Sequence, residues 1–146
     1  MNKQRFQLAL NVENIDEAVD YYAKLFGVKV NKRKPGYANF AIDEPALKLV
    51  LLESKDAPER LNHLGVEVFE QADVDKAISR FDTAGIRLGD VEEDRTCCYA
   101  KQNKVWSVDP QGMRWEWYRV IADENEFGDD GFDTRVDTNK NTVSCH

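Results

Sequence analysis

The chain has 146 residues, one domain's worth of sequence, and a net charge of −7 from 27 acidic and 20 basic side chains, so no basic excess is there to hold a nucleic-acid backbone. Its longest unbroken aliphatic stretch, Leu49-Val50-Leu51-Leu52, is too short to cross a bilayer, and the first residues, Met1-Asn2-Lys3-Gln4-Arg5-Phe6, carry no signal-type apolar region. Three cysteines, two of them adjacent, do not make a disulfide framework, which leaves a soluble cytoplasmic protein with free thiols.

Residues 5–12 alternate, with Phe6, Leu8, Leu10 and Val12 on one side and Arg5, Gln7, Ala9 and Asn11 on the other, the pattern of a strand. Asn14 then reads as a helix N-cap with Glu17 three residues on; Ile15, Ala18, Val19 and Tyr22 follow at helical spacing, and Gly27 makes the stop. Strand-like runs come next at 28–33, 37–42 after the Pro35-Gly36 turn, and 47–53.

The same order then repeats. Residues 62–69 alternate, Asp73 is positioned as a cap, and Val74, Ala77, Ile78 and Phe81 copy the first helix 59 positions on, up to Gly85. Strand-like runs follow at 86–91, 97–101, 104–108 and 113–120. The opening strands align at an offset of 56, placing Gln7 on His63. A βαβββ unit used twice (about 4–55 and 60–120) predicts an α+β fold: one curved mixed sheet around a pocket, with the helices outside. Residues 121–146 hold seven acidic and two basic side chains, net −5, without periodicity, and read as a flexible acidic tail.

Strand alternation selects the side chains that enter the pocket. If Leu8 and Leu64 face the core, Gln7 and His63 face inward from the two opening strands. In the last strand Met113, Trp115 and Trp117 take one face and Arg114, Glu116 and Tyr118 the other, so Glu116 can join them. The corresponding strand of the first unit offers Lys48, Val50 and Leu52, none of them a fourth ligand. Gln7, His63 and Glu116 would form a three-ligand site with vacancies, suited to non-haem Fe(II) and dioxygen, whereas structural zinc wants a fourth ligand. The plainer readings are a core-capping amide, a core histidine and a solvated glutamate.

Adjacent residues on a regular strand point to opposite faces, so Cys97 and Cys98 grip one atom only where the backbone leaves the strand. The Glu92–Thr96 run offers such a loop or strand edge, and paired thiolates favour thiophilic centres such as trivalent arsenic or cadmium. Against this stands the ordinary reading of such a pair as one small core side chain and one bystander. Arg95, Lys101 and Lys104 could lower a thiol pKa or form a solvated charged loop, and a loop carrying Lys101 to Lys104 could close over a substrate. Tyr37, Phe40, Tyr99, Trp106, Trp115 and Trp117 could wall a pocket or simply fill the core. Cys145 lies in the tail and has no assigned partner.

The doubled layout, with DPQGMRWEWY closing the second unit, resembles the vicinal-oxygen-chelate superfamily of glyoxalases, bleomycin-resistance proteins and extradiol dioxygenases over roughly residues 4–120. RKPGYANFAIDEPALKLVLLE, NHLGVEV, TCCYA and NKVW are similar to its organoarsenical carbon–arsenic lyase and cadmium-induced protein branch. That resemblance implies Fe(II) held by Gln7, His63 and Glu116, and trivalent organoarsenic bound by Cys97 and Cys98. It further implies dioxygen-dependent cleavage of the carbon–arsenic bond with release of arsenite, and it leaves room for a homodimer. The rival is a cadmium- or arsenic-binding resistance protein without turnover. A glyoxalase-like isomerase, which usually needs four ligands, is disfavoured by the inward Val50.

Overall fold

The computed structural model describes the backbone of residues 4–86, 88–97 and 100–123, and the side chains of 4–86 and 103–121. The architecture is α+β, with strands and helices in the order of two βαβββ units. The chain separates into two compact units, Met1–Glu67 and Val68–His146. The division falls before the last residue of the opening strand of the second repeat, which pairs with the opening strand of the first.

In the first unit β1 (Arg5–Val12), α1 (Ile15–Phe26), β2 (Lys32–Lys34), β3 (Tyr37–Ile42) and β4 (Leu47–Glu53) are followed by β5 (Leu61–Val68). The strand order is β2-β3-β4-β1-β5, with β1 parallel to β4 and every other pairing antiparallel. α1 begins where expected: Asn14 Oδ1 accepts from the Glu17 N–H at 3.0 Å, and Glu53 Oε2 of β4 accepts from the Ile15 N–H at 3.0 Å. It ends at Gly27, whose left-handed backbone (φ 66°) lets its N–H return to the Ala23 carbonyl. The apolar stripe of α1 packs with Ala38, Phe40, Ile42, Leu49 and Leu51. Burying a side chain such as Phe40 or Leu51 contributes about 2 kcal/mol. β2 is shorter than the predicted 28–33 run and starts later, because Val28 and Val30 pack against this core from outside any strand. The Pro35-Gly36 turn forms as expected, with Gly36 at φ 70°.

In the second unit α2 (Gln71–Ala84) leads into β6 (Leu88–Cys97), β7 (Ala100–Val108) and β8 (Arg114–Asp123), an antiparallel meander. Asp73 is not the cap. The helix starts three residues earlier, behind an extended Glu70 that makes no side-chain capping bond, so Asp73 lies in the first turn. Ala77, Phe81 and Val105 form the core here, with Ile78 and Trp117 packed against it. The predicted 97–101 run is divided: Cys97 ends β6, and residues 100–101 form one strand with the predicted 104–108 run, since the backbone pairing with β8 extends from Ala100 to Val108 across the intervening polar residues. The Glu92–Thr96 run is likewise strand, with register shifts between Leu88 and Val91 and between Glu92 and Arg95. β8 continues through Asp123; residues 124–146, with Cys145, lie outside the described residues.

Candidate metal centre

Both faces of β1 are used. Leu8, Leu10 and Val12 pack toward α1, and Gln7, Ala9 and Asn11 are buried on the opposite face. The register carries that second face across the unit: Gln7 lies beside Lys48 and Gly65, and Ala9 beside Val50 and His63. Gln7 and His63 are therefore diagonal neighbours on one face, where long side chains meet. Their tips do meet, with Gln7 Nε2 2.9 Å from His63 Nε2 and both residues fully buried. The other ring nitrogen, Nδ1, lies 2.8 Å from Asn62 Oδ1. An amide oxygen only accepts, so Nδ1 carries the proton and Nε2 keeps a lone pair, toward which Gln7 donates.

Glu67 is buried on the same face, and both of its oxygens are engaged: Lys48 Nζ reaches Oε2 at 3.0 Å and an Arg5 guanidinium nitrogen reaches Oε1 at 3.2 Å. Arg5 also bonds Asp43 at 2.7 Å. Burial pulls the Arg5 guanidinium down, but its bonds to Asp43 and Glu67 outweigh that and hold it above its ordinary value. Tyr37 stands on this face too, its hydroxyl accepting from Asn39 Nδ2 at 2.9 Å, whereas Phe40 is core.

In the second unit β8 alternates as predicted. Trp117 packs edge-on against Phe81 of α2, 5.4 Å between ring centres, and Glu116 and Tyr118 are fully buried on the other face. Glu116 lies opposite Trp106 in the register, and Tyr118 opposite Lys104. The buried Lys104 ammonium is 3.7 Å from Glu116 Oε1, within ion-pair range but beyond a hydrogen bond. Trp106 takes two cations on its ring, Lys104 Nζ at 5.6 Å and Arg114 Cζ at 5.3 Å. Burial pushes the Arg114 guanidinium below its ordinary value, with Glu116 opposing the shift. Trp115 instead lines an apolar groove of about 530 Å³ with Ile86, Val108 and Pro110.

The structure thus brings Gln7 and His63 together and buries Glu116 on the face of β8 opposite Trp117. Cys98 and Tyr99 lie outside the described residues; Cys97 ends β6 opposite Ala100, and its side chain is likewise outside them. The expected Lys101–Lys104 loop is not a loop: all four residues belong to β7. Sequence reasoning missed Asn62 and the two buried lysine–glutamate pairs. Alternation already puts Lys48 on the inward side and Glu67 on the face of His63, and could have added Lys104, but it does not say which charges pair. Asn62 carried no such signal.

An amide, an imidazole and a carboxylate fit a first-row divalent cation better than a soft one. The 2.9 Å contact joins the Gln7 amide nitrogen to His63 Nε2, so for both side chains to hold one ion the Gln7 amide would turn to present Oε1. Among the described residues no three His, Cys, Asp or Glu side chains group closely enough to hold a metal.

Residues 5–117 match the glyoxalase/bleomycin resistance protein/dioxygenase superfamily. The chain belongs to this superfamily. It is 51% identical over 124 residues to a cadmium-induced protein, CadI, of Mycobacterium tuberculosis, covering 85% of this chain and 81% of that protein. It is 52% identical over 122 residues to a trivalent organoarsenical cleaving enzyme of Thermomonospora curvata, covering 82% and 79%. Among solved structures, a Mn(II)-bound glyoxalase from Novosphingobium aromaticivorans shares the superfamily's fold with a TM-score of 0.59 at 17% identity, covering 90% of this chain and 44% of that one. No helix among the described residues is long and apolar enough to cross a membrane.

Proposed function

We propose that this chain is an Fe(II)- and O2-dependent lyase that cleaves the carbon–arsenic bond of trivalent methyl- or aryl-arsenicals and releases arsenite. The observation that carries the reading is the buried Gln7–His63 pair, which presents an imidazole lone pair beside an amide on a water-excluded face. The 52% identity to an organoarsenical cleaving enzyme supplies the substrate class. Gln7, His63 and Glu116 form the proposed ligand set, with a single negative charge from Glu116. A ferrous ion held there supplies redox chemistry toward dioxygen.

Cys97 and Cys98, as thiolates, bind the arsenic and hold the attached carbon in place, so that positioning carries much of the rate. For a methyl substituent the atoms balance with dioxygen as the oxidant: methylarsenous acid and one dioxygen give arsenous acid and formaldehyde. The carbon–arsenic bond breaks, the carbon is oxidised, and arsenic remains trivalent.

The second reading is a metal- or arsenic-binding resistance protein without turnover, favoured by the 51% identity to a cadmium-induced protein. One experiment separates the two. The full chain, loaded anaerobically with Fe(II), is given methylarsenous acid with and without oxygen, and inorganic arsenite is measured. Oxygen-dependent arsenite supports the lyase; binding without arsenite overturns it. Turnover that persists in the Cys97→Ser/Cys98→Ser variant removes the thiols from the mechanism.

A further inference from the structure

The register between β1 and β5 contains an irregularity beside His63. Ala9 pairs with His63, but Leu10 pairs with Leu61, so Asn62 is the residue the ladder skips. A bulge re-aims a side chain that alternation would turn away. Asn62 reaches His63 and also reaches back to β1, where its Nδ2 donates to Asn11 Oδ1 at 3.0 Å. Asn11 Nδ2 in turn donates to the Glu59 backbone carbonyl at 2.9 Å.

The direction of this chain is fixed at its far end. The Glu59 carbonyl can only accept, so Asn11 must turn its NH2 toward it and its oxygen toward Asn62. Asn62 must then offer its NH2 to Asn11 and its oxygen to His63, which leaves the His63 proton on Nδ1. We infer that Asn62 and Asn11 are positioning residues for the metal centre, a one-way amide relay that holds the Nε2 lone pair of His63 toward Gln7. Its use for a metal rests on the reading above; the relay itself does not.

Reversing any amide sets two oxygens or two NH2 groups face to face. The tautomer of His63 therefore depends on Asn11, a residue with no hydrogen bond to the ring. A merely structural asparagine would have no such reach, and this separates the two roles.

The test uses the full-length, metal-free, 15N-labelled chain carrying His146→Gln, which leaves His63 as its only imidazole. Imidazole nitrogen–proton correlations are recorded at about pH 8, above the ordinary histidine range. The expected spectrum has Nδ1 protonated and Nε2 bare. Asn62→Leu should mix the tautomers, and Asn11→Leu should shift the population toward Nε2–H by freeing the Asn62 amide to turn. Asn62→Asp keeps an oxygen on Nδ1 and should keep the original tautomer, with Asn11 turning its NH2 to the second carboxylate oxygen and giving up its bond to the Glu59 carbonyl.

Cobalt(II) alone, titrated by its visible absorption, should bind about 10- to 100-fold more weakly to Asn62→Leu, with the Asp variant close to the parent. A parent with Nε2 protonated, or an unchanged tautomer in both Leu variants, overturns the relay. If Asn62→Leu does not fold, Asn11→Leu and Asn62→Asp decide the matter. A parent that binds no cobalt but shows the expected tautomers overturns the metal reading and upholds the relay.

Discussion

Glu67 and Glu116 are both buried glutamates beside a buried lysine, one in each compact unit, yet their surroundings differ. Glu67 has a cation on each oxygen, at 3.0 and 3.2 Å, and one of those cations is anchored again on Asp43. Glu116 has its lysine at 3.7 Å, and that lysine also lies over the Trp106 ring. A carboxylate closed on both sides by tight ion pairs ties strands together. One whose cation stands off can exchange that cation for another. In the proposed reading Glu116 is a metal ligand and Glu67 a structural tie, and the distance to the lysine, 3.7 against 3.0 Å, is the difference that reading uses.

The largest test of this contrast is Glu67→Gln. Removing one member of a buried ion-pair cluster leaves Lys48 and Arg5 without their shared carboxylate, at a cost of about 3 kcal/mol. A melting temperature lower by about 10 °C is the expected readout. Cobalt(II) affinity, measured below that melting point, should remain close to the parent's. Loss of metal binding together with full stability would reverse the roles assigned to the two glutamates.

Glu116→Gln is the mirror experiment. Changes behind a metal ligand already weaken binding by up to about 100-fold, so loss of the ligand charge should cost at least that, read by the same titration. Undiminished affinity would remove Glu116 from the ligand set. Lys104→Met acts in the opposite direction. It deletes a positive charge 3.7 Å from Glu116 Oε1, and cation affinity should tighten by about 10-fold at low salt. Weaker binding in this variant would show that Lys104 holds Glu116 in its ligating position and does not compete with the cation.

The legibility of these features in the sequence followed the physics of each. Strand alternation separated Gln7, His63 and Glu116 from the faces that pack on the helices, and all three are buried, because period two survives wherever the ladder is regular. It failed at Asn62, since a bulge belongs to the pairing of two strands and neither strand's pattern records it. It failed again at β7, where Lys101, Gln102, Asn103 and Lys104 interrupt the apolar pattern and suggested a break. Two of these polar side chains are in fact buried with partners: Lys104 beside Glu116, and Asn103 donating to Gln71 of α2. Polar residues that find partners inside a fold are indistinguishable, in sequence, from polar residues in a loop.

The two helices repeat the lesson at a smaller scale. Both were predicted to start at a capping side chain, and only α1 does. Asn14 satisfies the Glu17 N–H, and Asn14→Ala should lower stability by about 1 kcal/mol. In α2 the cap position belongs to Glu70, whose backbone is already extended (φ −126°, ψ 140°) but whose side chain makes no capping bond. A serine there would bring its hydroxyl to the Asp73 N–H, which already donates to the Glu70 carbonyl at 3.0 Å and would share the two acceptors, while the Asp73 carboxylate sits where a capping box places its acid. Glu70→Ser should therefore stabilise the protein by about 1 kcal/mol, raising the melting temperature by a few degrees. If Glu70→Ser instead lowers the melting temperature, the start of α2 is held by its packing and by the Asn103–Gln71 bond, and a side-chain cap has nothing to add.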